Sequence, residues 1–124
     1  MVYMDQPVGT GFSHAKSPLD YDANEKTLAE DFYRFLVRFL EKYPEYKKRS
    51  MFITGESYAG KYIPAISAKI VAENNTDIAL VGSAIGNGLV DPYSQYPAYV
   101  TFSVENKIIG EDEGKILAEG MKEC

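Results

Sequence analysis

Apolar residues recur at helical spacing most clearly over residues 23–43, where Leu28, Phe32, Phe35, Leu36, Phe39, Leu40 and Tyr43 form one stripe. Asp22 and Glu25, three apart, are the expected capping pair at its start, and Pro44 ends it. An aromatic stripe of this kind reads as core packing, not as a ligand box. Met51 to Thr54 is a short β-prone run that stops at Gly55. Residues 58–73 return to helical character, and Pro64 is expected to break them into a short turn and a restarted helix. Ile78 to Ile85 reads as another strand, closed by Gly86-Asn87-Gly88. Met1 to Met4 reads as a strand already under way, stopped at Asp5-Gln6-Pro7 and followed by a turn-rich stretch from Val8 to Asp20. Ser94 to Cys124 looks like two helices separated near Gly110. Strand, helix, strand, helix, strand is the order of an α/β fold, a mostly parallel sheet with crossover helices. Parallel sheets are normally larger and covered on both faces, so the expectation is one contiguous piece of an α/β domain.

Composition narrows the function. With 124 residues, 45% of them hydrophobic and 25% charged, the chain fits one ordinary globular domain. A net charge of −5 argues against nucleic acid as a partner, since phosphate binding needs concentrated Lys and Arg. The one basic run, Lys47-Lys48-Arg49, reads as a solvated loop before a strand. No apolar run approaches the length of about 18 residues that a membrane span requires. The first residues carry neither the basic start nor the apolar stretch of a signal peptide. Nothing in the sequence calls for a cofactor or a metal. Cys124 is either an idle thiol or half of a disulfide whose partner is elsewhere. Asn74-Asn75-Thr76 fits the glycosylation sequon at Asn74, mild support for a secretory route.

The chemistry concentrates at Gly55-Glu56-Ser57-Tyr58-Ala59-Gly60, between the strand and the helix. A nucleophile elbow forces its serine into a strained backbone so that Oγ stands clear of the sheet edge. That sharp turn crowds the positions two before and two after the serine. Here Gly55 and Ala59 occupy them, a small departure from the usual pair of glycines. The helix beyond aims free N–H groups at the reaction centre, and the Tyr58 N–H is a natural oxyanion donor, worth about 3 kcal/mol in a transition state. Context favours Ser57 as a nucleophile over an ordinary turn serine. No base accompanies it. His14, the single histidine, precedes the serine, against the Ser, Asp/Glu, His order of an α/β-hydrolase, and reads as a loop residue. Asp77, Asp91 and Asp112 follow the serine but have no histidine to orient. On the residues alone, Glu56 stands open between a solvated turn residue and a functional one.

The same hexapeptide closely resembles the serine carboxypeptidases. Asp5-Gln6-Pro7-Val8-Gly9-Thr10-Gly11-Phe12-Ser13, Tyr62-Ile63-Pro64 and Ile85-Gly86-Asn87-Gly88-Leu89-Val90-Asp91-Pro92 agree with it in order and in approximate spacing, and Phe39 to Pro44 looks like the family's helix end. The resemblance covers nearly all of the chain. It implies an α/β-hydrolase fold, Ser57 as catalytic nucleophile, the Tyr58 N–H at the oxyanion, and Glu56 binding the C-terminal carboxylate of a peptide. Two carboxylates can meet only with a proton between them, so such an enzyme would prefer an acidic, lysosome- or vacuole-like compartment, or be secreted. The resemblance also places an oxyanion segment and a partner for Glu56 upstream, and a catalytic aspartate and histidine downstream, of the residues present. Lys61 stands where the family often has histidine. Tyr93, Tyr96 and Tyr99, spaced by three, face either a substrate cleft or, as the better reading, a helix packing surface.

The expectation is therefore that residues 1–124 are part of a serine carboxypeptidase catalytic domain, its substrate a peptide or protein C-terminus. The alternatives are a carboxypeptidase-like acyltransferase, using the same elbow to transfer acyl groups to small alcohols, and a truncated, non-catalytic paralogue.

Overall fold

The computed structural model describes residues 1–22 and 24–121. They form two compact units, one from Met1 to Gly88 and one from Leu89 onward.

The first unit is a crossover unit with an additional helix. Strand β1 (Ser50–Glu56) runs into helix α2 (Ala59–Glu73), which returns the chain to strand β2 (Ala79–Gly86). The two strands pair in parallel from Ser50 against Ala79 to Glu56 against Gly86, with an irregularity between Met51 and Phe52. Helix α1 (Glu25–Lys42) precedes them. Its periodicity is realised as expected. Leu28, Ala29, Leu36 and Leu40 are buried, and they share a core with Ile53 of β1, Ile63, Ile66 and Ile70 of α2, and Ile78. Phe32, Phe35 and Phe39 are half-buried against that core and touch in sequence along the helix. Burying each such aliphatic side chain contributes about 1.5–3 kcal/mol, which is why the stripe overrides the weak helix propensity of its aromatics.

The α1 cap differs from the expected Asp22 and Glu25 pair. Asn24 is the N-cap, and its side-chain oxygen accepts from the N–H groups of Lys26 and Thr27. A carboxamide oxygen two residues closer to the first turn reaches those donors, which Asp22 cannot. Pro64 does not break α2. The helix is continuous from Ala59 to Glu73, and Ile63, Ile66 and Ile70 anchor it on both sides of the proline. Proline at this point removes one N–H and leaves the rest of the ladder intact, a loss that apolar burial offsets.

Met1 to Met4 is not a strand. The segment is unpaired, and a groove of about 590 Å³ lies between it and the open edge of β1, floored by α1 side chains such as Phe35 and Phe39. Without a neighbour to accept and donate ladder hydrogen bonds, an apolar run has nothing to fix it as a strand. Two strands, not three, are therefore found among the described residues.

The second unit pairs α3 (Pro92–Glu105) with α4 (Glu111–Gly120), as the break near Gly110 implied. The helices approach closely at Gly114, where an added Cβ would lie 2.4 Å from Val104 Cγ2. Gly110 leads into α4, and its N–H donates to the Glu113 carboxylate at 2.8 Å. The packing role expected of the tyrosines is not what α3 shows. Tyr93, Tyr96 and Tyr99 are all exposed, and the last two contact each other at 5.8 Å between ring centres. Cys124, and with it the question of a disulfide, lies outside the described residues.

Candidate active site

The carboxyl end of β1 is where a parallel sheet offers its strand tips to a ligand. Glu56 is the last strand residue. Ser57 follows with φ of 60°, and Tyr58 (φ −63°, ψ −12°) leads into α2. A non-glycine residue with such a φ costs about 1–2 kcal/mol, so something must hold it. The Ser57 N–H donates to the Gly86 carbonyl at 3.0 Å, tying the turn to the end of β2. The Ser57 carbonyl accepts from the Gly60 N–H at 3.0 Å, and the Tyr58 carbonyl from the Lys61 N–H at 2.9 Å. The serine is clamped from both sides, and its side chain is exposed.

The crowding expected of this turn is present. An added Cβ on Gly55 would meet Ala59 Cβ at 2.6 Å and Ile63 Cδ1 at 3.1 Å. Glycine is required there because backbone, not a flexible side-chain tip, would have to yield. Ala59 is tolerated because the opposing position has no side chain at all.

The same hydrogen bonds define which donors remain. The Ser57 and Gly60 N–H groups are spent, whereas the Tyr58 N–H has no acceptor among the described residues. It sits at the positive end of α2, the arrangement that stabilises an oxyanion formed on a carbonyl attacked by a neighbouring Oγ. The Tyr58 and Tyr62 rings pack at 5.1 Å between centres, one turn apart on α2. Burial, with Tyr58 and Glu25 nearby, pushes the Tyr62 phenol above its ordinary range. Glu56 is exposed beside the serine.

The structure gathers Glu56, Ser57 and Tyr58 into one turn. His14 is elsewhere, lining a small cavity of about 240 Å³ with Asp5, Asp22 and Asp31 among its other walls, and no residue of the elbow lines it. Among the described residues, no group of three His, Cys, Asp or Glu is placed to hold a metal ion, and no helix is long and apolar enough to cross a membrane. Asn74 lies at the far end of α2 from the elbow. Sequence reasoning missed the part played by Gly86. The motif Gly86-Asn87-Gly88 was visible as a strand end, but only pairing register shows that its first carbonyl faces Ser57.

A strained serine on a strand-turn-helix elbow, with a free N–H beside it, is the local geometry of the elbow in an α/β-hydrolase fold. Comparison with known proteins names the family. The serine carboxypeptidase family matches residues 1–123, and the chain belongs to it. It is 45% identical to serine carboxypeptidase 3 of Hordeum vulgare over 128 residues, covering 100% of this chain and 25% of that protein. It is 41% identical to serine carboxypeptidase-like 47 of Arabidopsis thaliana, with the same coverage of each. The crystal structure of a prohormone-processing carboxypeptidase from Saccharomyces cerevisiae superposes with a TM-score of 0.83 at 33% identity, over 97% of this chain and 28% of that one. The chain thus spans about a quarter of the length of the curated relatives it matches.

Proposed function

We propose that the protein carrying this chain is a serine-type carboxypeptidase in which Ser57 is the nucleophile. Ser57 Oγ attacks the carbonyl carbon of the last peptide bond, the carbonyl oxygen takes the negative charge beside the Tyr58 N–H, and the C-terminal amino acid leaves. The acyl group stays on Ser57 as an ester until water releases it. The observation that carries this reading is the backbone of Ser57, a left-handed serine held by the Gly86 carbonyl with an unspent N–H next to it. The general base is supplied from outside these 124 residues, consistent with a chain a quarter as long as its relatives whose one histidine lies away from the elbow. Exposed beside the nucleophile, Glu56 is positioned to receive the carboxyl terminus of a peptide once a proton is shared between the two carboxyl groups. A peptide or protein C-terminus is the substrate, and an acidic compartment of the secretory route is the setting.

The test is active-site labelling of the full-length gene product with a fluorophosphonate, with amino-acid release from a blocked dipeptide measured in parallel. Labelling should map to Ser57, and Ser57→Ala should abolish labelling and lower amino-acid release by at least about 10³-fold. Label on another residue, or release undiminished in Ser57→Ala, would overturn the assignment. Ester transfer to a small alcohol without amino-acid release would move the protein to the acyltransferases.

A further inference from the structure

Two residues at the tips of the paired strands share an unusual backbone. Among the described residues, Lys48, Ser57, Asn74, Asn87 and Lys107 are the non-glycine residues with positive φ. Lys48 precedes β1, Asn74 caps α2 and Lys107 follows α3, so these three belong to loops and helix ends. Ser57 and Asn87 instead stand directly after the carboxyl ends of β1 and β2, with φ of 60° and 45°. The strands pair as far as Glu56 against Gly86, so each left-handed residue is the next one beyond the last paired position.

One hydrogen bond joins the two tips. The Ser57 N–H donates to the Gly86 carbonyl at 3.0 Å, and that carbonyl shares a rigid peptide plane with the Asn87 nitrogen. The direction of the Ser57 N–H is tied to the φ of Ser57, and the backbone there limits the rotamers that aim Oγ. The direction of the carbonyl depends in turn on how the chain leaves its plane, which is the φ of Asn87. Gly86 does not carry this turn. Its own φ is not positive, and an added Cβ would make only ordinary contacts, 3.8 Å to Glu56 Cγ and 3.9 Å to the Gly55 carbonyl oxygen. The bend that ends β2 therefore falls on residue 87. Asparagine suits it, because a short polar side chain enters the left-handed region more readily than any other except glycine. The Asn87 carboxamide is exposed and has no hydrogen-bond partner among the described residues, so its contribution to the tip is conformational. A residue that resists this φ sets its strain against the Ser57 hydrogen bond. For a β-branched side chain the strain exceeds the net worth of one such bond, so the peptide plane turns and the Gly86 carbonyl leaves Ser57.

We propose that Asn87 is a positioning residue for the nucleophile: its left-handed backbone aims the Gly86 carbonyl at the Ser57 N–H and thereby fixes the direction of Oγ. This rests on the reading of Ser57 as nucleophile given above. The Asn87 side chain itself touches no reacting atom.

The experiment measures fluorophosphonate labelling of Ser57, amino-acid release from a blocked dipeptide and thermal unfolding in the full-length protein carrying Asn87→Gly, Asn87→Asp, Asn87→Ala or Asn87→Val. Labelling rate and kcat should fall about tenfold in Asn87→Ala and about 100-fold in Asn87→Val, with KM within about twofold of wild type. Asn87→Gly lacks the carboxamide but adopts the left-handed φ freely, so it should restore both rates to within about threefold of wild type, with Asn87→Asp close to it. A loss in Asn87→Gly as large as that in Asn87→Ala would mean that the carboxamide acts, and would overturn the proposal. So would unfolding temperatures that drop in Asn87→Ala and Asn87→Val while labelling keeps the wild-type rate, since the residue would then only hold the fold. Should Asn87→Val fail to fold, the contrast between Asn87→Ala and Asn87→Gly decides. Absence of label on Ser57 in the wild-type protein overturns the nucleophile reading and this inference with it, whereas wild-type label that forms equally fast in every variant overturns this inference alone.

Discussion

Ser57 carries an exposed hydroxyl, the group proposed above as nucleophile, and it occupies a backbone region that suits glycine. That combination has a measurable form. Ser57→Gly and Ser57→Ala both remove Oγ, but only glycine relieves the left-handed strain at φ 60°. Ser57→Gly should therefore be more stable than Ser57→Ala by about 1 kcal/mol in denaturant unfolding of the full-length protein. Equal stabilities would mean that the clamp from the Gly86 carbonyl, and not the serine itself, sets the turn. Gly55 is the converse case. Gly55→Ala puts a Cβ 2.6 Å from Ala59 Cβ and should cost about 1–3 kcal/mol, with loss of fluorophosphonate labelling wherever the elbow shifts to accommodate it. Much of this was legible beforehand, because a glycine, a serine and a small residue at fixed spacing leave little else for a strand-helix turn to be. The donor status of the Tyr58 N–H was also foreseeable from helix geometry. The carbonyl of Gly86 was not, since its partner is 29 residues away in the chain.

At the scale of elements, α1 and α2 are joined by more than their apolar faces. Lys69 of α2 reaches Glu30 of α1 and also pairs with Glu73 at 2.5 Å, while its ammonium lies 5.5 Å from the centre of the Tyr33 ring. The hydrogen bond from Lys69 holds the Glu30 carboxyl below its ordinary 4.5, and the two carboxylates in turn raise Lys69 above its ordinary 10.5. For a carboxyl lowered in the folded state, the stabilisation is full above 4.5 and is lost as pH falls through the folded value. For the raised ammonium, it is full below 10.5 and is lost as pH rises through the folded value. Glu30→Gln should thus melt below wild type at neutral pH, by a small margin that added salt narrows, and the two should converge as pH falls from 4.5 through the lowered folded value. A margin that persists in acid would show that Glu30 acts by packing. The stripe that makes α1 a helix was plain in the sequence, whereas the ion cluster was not. Glu30 and Lys69 lie on different helices, and no local spacing announces a pair that exists only after docking.

For the molecule as a whole, the question is what covers the sheet. Ile53 faces the helical core, while on the other face of β1 Phe52 stands 64% exposed, and Val81, at the irregularity in β2, is 60% exposed. The 124-residue chain expressed by itself should therefore bind a hydrophobic dye and self-associate. A monomeric sample with a single cooperative thermal transition and no dye binding would contradict this. The sequence by itself determined the alternation of strand and helix, the apolar stripe of α1, the elbow and the family, because each depends on residues close in the chain or on motif order. Tertiary structure alone decided that Met1 to Met4 does not pair, that Pro64 leaves α2 whole, and that Gly86 holds Ser57. Each of those outcomes turns on which backbone groups and apolar faces meet across the fold, and meetings between distant residues leave no periodicity to read.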